Sequence, residues 1–334
     1  MAIYFKETPK NVNDSVFGRS QDPIKMFIEE KAEAFEAESV INKIFAMEKS
    51  NHYAEKVTAM TAMNNFMPVG ENGLYPDNMM KESYSKTLEH MTWKSAFRIS
   101  QEMVEDSKTM DLLRKPSNFI TAYYRTRETF GAALLKGAVN GEENITIGEH
   151  TFDITSADDM TLFNTAHKAA MDGVATQCNK FSDAFSEDAL GALETRMQNF
   201  YGDTGEILDV APDTIIIPND HTIKKAVFAA IGADKDPNSS NNGFNYQFGR
   251  WNVICWPYLN GIITADNKPW ILMDSRYNKE YLGAVWFDRI PLTVHSTIED
   301  ETDANVWRGR SRFTGGFNDW RAFAVGGVTG GTEL

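Results

Sequence analysis

Between Tyr53 and Ile99 the chain carries a pattern that cannot bury itself. In the second half, Met91, Trp93, Phe97 and Ile99 fall on one side of a period-two alternation and Thr92, Lys94 and Arg98 on the other, which reads as a strand. The first half, YAEKVTAMTAMNNFM, is less regular but rich in Thr, Val and Met. Between them PVGENGLYPDN holds two prolines and two glycines, strong turn chemistry. The prediction is a long two-stranded hairpin. Isolated hairpins are marginal in water, so this one must lie on something, either the chain's own body or a neighbour.

The remaining segments supply a body. Residues 1–20 are polar and unpatterned and read as an extended arm. After Asp22-Pro23, the residues Ile24, Phe27, Ile28 and Phe35, then Ile41, Ile44 and Phe45, recur at roughly helical spacing, as in an amphipathic surface helix. Pro116-Ser117 opens the strongest helix, in which Phe119, Tyr123, Phe130 and Leu134 form one stripe and Gly137, Asn140 and Gly141 mark the end. From Ser117 to Val139 it would rise about 35 Å. ITIGEHTFDI (Ile145–Ile154) reads as a hairpin, 156–182 as a loop-rich connection, and Ser186–Tyr201 as a helix. DTIIIPND is a buried strand followed by a helix over Thr222–Ile231. Short strands then follow in RWNVICWPYL, GIITAD, PWILMD, GAVWF and IPLTVHST, and NVWRGRSRFTGGFNDWRAFAV ends the chain as two strands hinged at Gly315-Gly316. The fold class is α+β, with closing strands that pair far back in sequence.

Charge and chemistry narrow the function. Thirty-three basic residues against 47 acidic ones give a net charge of −14, which argues against a free nucleic-acid binder and requires any assembly to rest on specific contacts. The two cysteines, Cys178 and Cys255, read as reduced thiols of a cytoplasm-like compartment. There is no run of about 18 apolar residues to span a membrane, and the start lacks a secretory pattern. GAALLKG lacks the spacing of a phosphate loop, and no G-x-S-x-G elbow occurs. The six histidines are scattered. His167 is the most tempting general base but has no Ser or Cys partner nearby. DKDPNSSNNG places Asp234, Asp236 and Asn238 at alternate positions, yet Ser239 and Asn245 stand where a calcium loop needs Gly and Glu, so a solvated loop is the better reading. No catalytic, cofactor-binding or metal-binding residue is assigned. Arg308, Arg310 and Arg312 share one face of a strand, read equally well as a solvated edge or as a partner for a neighbour's carboxylates.

RGRSRFTGGFNDWRAFAVGG (Arg308–Gly327) resembles the closing segment of tailed-bacteriophage major capsid proteins with the Hong Kong 97-type shell fold. SKTLEHMTWKSAFRISQEMVEDS resembles that family's return strand of the extended loop, and SNFITAYYRTRETFGAALLKG its spine helix. LFNTAH, LDVAPDTIIIPND and YLNGIITADNKPWILMD resemble the axial domain and its approach. The likeness runs in order over roughly residues 53–327. It implies an N-terminal arm and helix over 1–50, an extended loop over 51–100, a peripheral domain over 101–205 with the spine helix at about 117–139, an axial domain over 206–290, and return strands over 291–334 that complete the peripheral domain.

The resemblance also implies a function. Copies would assemble as hexamers and pentamers into an icosahedral shell around double-stranded DNA in the host cytoplasm, with a portal as partner and scaffolding either a separate protein or absent, a decoration protein being the other candidate partner. The candidate inter-subunit contacts are Trp93, Lys81, Lys86, Arg308, Arg310, Arg312, Asp319 and Arg321. An acidic lining would let DNA slide, an expectation that a strongly positive inner surface would overturn. Many relatives begin with a scaffolding region removed by a protease; here the extended loop starts within about 55 residues of Met1, so none is expected. Some relatives crosslink an extended-loop lysine to an asparagine next door. Lys81, Lys86 and Asn318 are the right types, but the expectation is that no crosslink forms. The rivals are an encapsulin-like nanocompartment shell, which carries a cargo protein instead of a genome, and an uncharacterised hydrolase.

Overall fold

The computed structural model describes residues 4–5, 18–60, 66–71, 73–75, 82–106, 109–171, 173–232, 245–299 and 301–334. Strand β1 (Tyr4–Phe5) and helix α1 (Gly18–Glu38) come first. Within α1, Ile24, Ile28 and Ala32 are buried while Glu29, Glu30 and Glu33 face solvent, the expected amphipathic division. Its pattern does not continue as one helix. Ile41 and Ile44 lie in the single turn α2 (Ile41–Ile44), Phe45 is extended, and β2 (Ala46–Lys49) follows.

The hairpin is real but shorter than the alternation suggests. Strand β3 (Ala54–Met60) pairs antiparallel with β4 (Glu82–Glu89), whereas Met91–Ile99 is a separate strand, β5, paired with a strand near the C-terminus. His90 is the break. It is buried, its N–H donates to the Tyr53 carbonyl at 3.2 Å, and Nε2 lies 2.7 Å from Ser50 Oγ. Along β4 the buried positions Lys86, Leu88 and His90 are even-numbered, whereas in β5 the buried or half-buried Met91, Trp93, Phe97 and Ile99 are odd-numbered, so the phase flips although the period does not.

After α3 (Gln101–Glu105) comes α4 (Thr109–Asn140), 32 residues and about 48 Å long. It begins earlier than Pro116-Ser117, with Pro116 inside it. Proline suits a first turn and removes one intrahelical bond further in, which is why the sequence points to the later start. Gly141, at φ 77°, ends the helix as expected. The hairpin of β6 (Asn144–Ile147) and β7 (His150–Asp153) turns at Gly148, φ 63°. Ser186 caps α5 (Glu187–Gln198) by accepting from Ala189 N, and β8 (Thr214–Pro218) is buried throughout. Asp220 caps α6 (His221–Ile231).

Strands β9 (Asn252–Trp256) and β10 (Trp270–Met273) follow, but GIITAD is no strand; the chain makes a 3₁₀ turn over Pro257–Ile262 instead. After α7 (Ser275–Glu280), β11 (Ala284–Glu299) runs unbroken through both GAVWF and IPLTVHST. Register shifts between Asp288 and Thr293 absorb Pro291, which has no N–H to give a ladder. Strand β12 (Ala304–Phe317) runs straight through Gly315-Gly316, so those glycines are no hinge. A Cβ on Gly315 would lie 2.9 Å from Trp286 Cε3, and one on Gly316 would lie 2.6 Å from Leu88 Cδ2; they are glycines because side chains lie on them. The turn comes later, at a 3₁₀ segment over Trp320–Ala322, before β13 (Phe323–Gly326).

Two main sheets result. The first has the order β1-β11-β12-β5, with β2 also on β11; the second has the order β13-β10-β8-β9. The terminal strands therefore do not both return to the first sheet. β12 belongs there, but β13 is an edge of the second. A continuous core runs from α4 through α5, β8, β10 and β13 to the near ends of β11 and β12. A smaller one lies between α1, α4 and the far half of the first sheet. The terminus is held as well: the Leu334 N–H donates to Asp183 at 2.9 Å, and Val328 is buried.

Candidate assembly surfaces

The hairpin divides into a docked leg and an uncovered end. Val57 and Leu88 bury against Val285 and Phe287. Lys86 reaches Asp153 and, at 2.6 Å, Thr155 Oγ1, while the Tyr84 hydroxyl donates to the Ala169 carbonyl at 3.2 Å. The leg nearest the body thus lies on its own chain. Farther out, Phe66, Leu74 and Tyr75 are more than 90% exposed and Met67 and Val69 more than half exposed. Aromatic and branched side chains so placed have no burial within the described residues. In the sequence they sit in or just before PVGENGLYPDN, whose prolines and glycines show a turn and no apolar face.

Several residues expected at an interface are instead held inside one chain. Lys86 is buried, paired with Asp153 from β7; that pair and the Thr155 hydroxyl hold the Asp153 carboxyl below its ordinary pKa despite partial burial. Asp319 and Arg321 are also buried. Arg321 donates to Asp203 at 2.8 Å and to the Tyr201 carbonyl at 3.0 Å, and lies over the Trp320 ring at 4.9 Å. Asp319 accepts from the Tyr277 hydroxyl at 2.8 Å; burial first, then that carboxylate, hold the phenol well above its ordinary pKa. These charges could enter the core only with partners, and the partners come from segments distant in sequence. Trp93 is half-buried and turned inward, stacked on Phe313 at 5.1 Å and near Phe130 at 5.5 Å. Lys81 lies outside the described residues, as do Asp234, Asp236, Asn238 and Ser239. Asn245 is buried and donates to the Ala230 carbonyl at 2.6 Å.

His167 is a structural post. It is fully buried, with Nδ1 2.6 Å from Asp158, Nε2 3.2 Å from Asn179 Oδ1, and its ring stacked on Trp320 at 4.2 Å. Asn179 in turn donates to the carbonyls of Leu162 and Phe323, so this cluster staples the 158–179 loop to the C-terminal segment. Among the described residues no hydroxyl or thiol is hydrogen-bonded to the ring. Both cysteines are free thiols. Among the described residues no group of three or more His, Cys, Asp or Glu side chains is placed to hold a metal ion, and no helix is long and apolar enough to cross a membrane.

The arginine triad splits. Arg312 is half-buried and leans toward the His90 carbonyl, whereas Arg308 and Arg310 are exposed. Pairing adds what spacing could not. Arg310 lies between Lys94 and Thr293, and Arg308 between Ala96 and His295, all on the sheet face away from α1 and α4. These residues line an open depression of about 740 Å³. Lys94 and His295 were not singled out from the sequence because strand partners are not visible in it.

No curated protein matches the chain. Solved structures similar to it include a protein of Mycobacterium phage Adephagia (13% identity, TM-score 0.49, covering 85% of this chain and 89% of that one). A virus-like particle from Pyrococcus furiosus is 8% identical with a TM-score of 0.48, covering 93% and 99% of the two chains. The capsid of an empty GTA particle is 12% identical with a TM-score of 0.47, covering 88% and 90%. At that level the family model decides: the one described as phage capsid protein matches residues 84–326, from the return leg of the hairpin to the last strand. The order of hairpin, long helix, second sheet and closing strands is the one that the Hong Kong 97-type resemblance implies. This chain belongs to the phage capsid protein family.

Proposed function

We propose that this major capsid protein assembles as hexamers and pentamers into the icosahedral shell of a tailed phage, around double-stranded DNA that it does not read by sequence. The shell is built from copies of the chain, and its place is the virion. The observation that carries the finer reading is the hairpin's far end. Five large apolar side chains stand exposed beyond a leg docked on its own body, as an extended loop reaching onto a neighbour requires. In this reading 54–89 is the extended loop, α4 the spine helix, the first sheet the peripheral domain and the second sheet the axial domain. The work is enclosure and not catalysis. Portal and scaffolding or decoration proteins complete the assembly in the host cytoplasm. Lys86 is turned onto Asp153, and in this reading neither Lys81 nor Lys86 is crosslinked to Asn318, so boiled mature particles run as monomer on denaturing gels.

Sedimentation tests the reading: megadalton particles form, and nuclease-protected double-stranded DNA is found in particles from infected or induced cells. A chain that stays monomeric with its assembly partners present refutes it. Particles holding a protein cargo and no DNA favour the nanocompartment rival.

A further inference from the structure

We propose that the basic outer face of the first sheet receives the acidic ridge of α1 from a second copy of this chain, a contact that rests on the shell reading above and names its partner surface. Arg308 and Arg310 are exposed and make no ion pair among the described residues; neither does Lys94, directly opposite Arg310. His295, opposite Arg308, has a buried Nδ1 with no partner. Nearby Arg98 is already engaged by Glu299 at 3.1 Å, so a carboxylate has closed one end of this face and left the centre open. In a chain of net charge −14 such a concentration of cations stands out against its own surface.

The complementary group is on α1. Glu29, Glu30 and Glu33 are exposed on one side of that helix and make no ion pair among the described residues. Residues four apart on a helix lie about 6 Å from one another, and residues two apart on a strand about 6.6 Å. Glu29 and Glu33 can therefore meet Arg310 and Arg308 in step, with Glu30 turned to Lys94. Guanidinium groups take carboxylates bidentately, which fixes register as well as attraction.

One chain cannot make this contact with itself. Leu292, Val294 and Trp307 point to the same small core as Ile24 and Ile28 of α1, so α1 covers the inner face of the sheet and the cations occupy the outer one. Donor and acceptor surfaces on opposite sides make a heterologous contact, the kind that closes rings when the rotation allows. Hexamers and pentamers need such a contact.

Charge reversal tests it in the full chain. Arg308→Glu with Arg310→Glu, and separately Glu29→Lys, Glu30→Lys and Glu33→Lys, should each lower the yield of sedimenting particles more than about tenfold, the loss that one broken interfacial charge pair produces. Combining both sets should restore particles. Thermal melting of the unassembled subunit should be unchanged in all three, since every substituted side chain is exposed. If wild-type particles form and either reversed variant assembles as well as wild type, this contact is overturned while the shell reading stands. Failure of the combined variant to recover overturns α1 as the occupant. Intact particles that hold less DNA would assign the face to the genome and overturn the proposal too. If wild-type protein forms no particles, the shell reading fails and the contact with it.

Discussion

Removing Arg127 should cost the subunit about as much as truncating a large core side chain of α4. Its guanidinium donates to both carboxylate oxygens of Asp288, at 2.8 and 3.2 Å, with the two side chains 6% and 12% exposed. It also lies 5.0 Å from the Trp286 ring and 5.2 Å from that of Phe313. Burial works against its charge, but Tyr123 and Asp288 outweigh it and hold the guanidinium above its ordinary pKa. In Arg127→Met the methionine fills the stem's space while the Asp288 carboxylate stays buried and unpaired. Breaking a buried pair in this way costs about 3–5 kcal/mol. At about 2–4 °C per kcal/mol for a domain of this size, the melting temperature of the unassembled subunit should fall by about 6–20 °C. Adding Asp288→Leu should recover most of the loss, because an apolar pair in place of a buried ion pair is close to neutral. About 1 kcal/mol should remain, since the Trp286 indole, 3.2 Å from Asp288, loses its acceptor. Thermal melts and urea titrations followed by tryptophan fluorescence read all three. A single variant that loses less than about 1 kcal/mol, or a double variant as unstable as the single, refutes the argument that the stranded charge sets the cost.

Gly326→Ala would place a methyl 2.4 Å from the Trp270 ring across the β10–β13 pair, so it should destabilise by about 1–3 kcal/mol and speed amide exchange in 323–328 more than elsewhere; unchanged exchange there would show that the terminus is not stitched as described. Burial raises the Asp158 pKa, but the hydrogen bond and charge of His167 outweigh it, so the carboxyl sits below its ordinary value of 3.8. A depressed folded pKa means that its stabilisation is complete above the unfolded value and is lost as pH falls through the folded one. Asp158→Asn should therefore flatten the decline in urea midpoint below about pH 4, and an unaltered acid slope would rule this carboxylate out as its source.

Local chemistry made much of the fold readable. Ser186 and Asp220 announce the helices they cap, the isoleucines of β8 mark a strand buried on both faces, and Gly141 marks the end of α4. What stayed hidden depends on contacts between distant segments. The break at His90 leaves the alternation period intact and changes only its phase, and Lys86, a lysine on the buried parity, disguises the change. Gly315 and Gly316 look like a hinge until Trp286 and Leu88 are seen lying on them. The candidate contacts divide in the same way. Arg308 and Arg310 could be placed together from their spacing alone. That Lys86, Asp319 and Arg321 are used internally follows from Asp153, Asp203 and Tyr277, which lie on other elements.

The acidity of the chain bears on how assembly is controlled. Charge is screened over about 8 Å at physiological salt, so copies at a distance barely feel one another's net −14, while approaching surfaces do. Random collisions then meet mostly acid against acid. Among the described residues, two departures from that surface stand out: the apolar end of the hairpin and the basic sheet face. They differ in salt response, because apolar burial survives added salt and exposed ion pairs weaken with it. Moderate salt should therefore relieve the general repulsion without loosening the hairpin, and high salt should dissolve the arginine contact first. Association through these two patches together selects one orientation out of many, which a closed shell requires and which uniform stickiness could not provide.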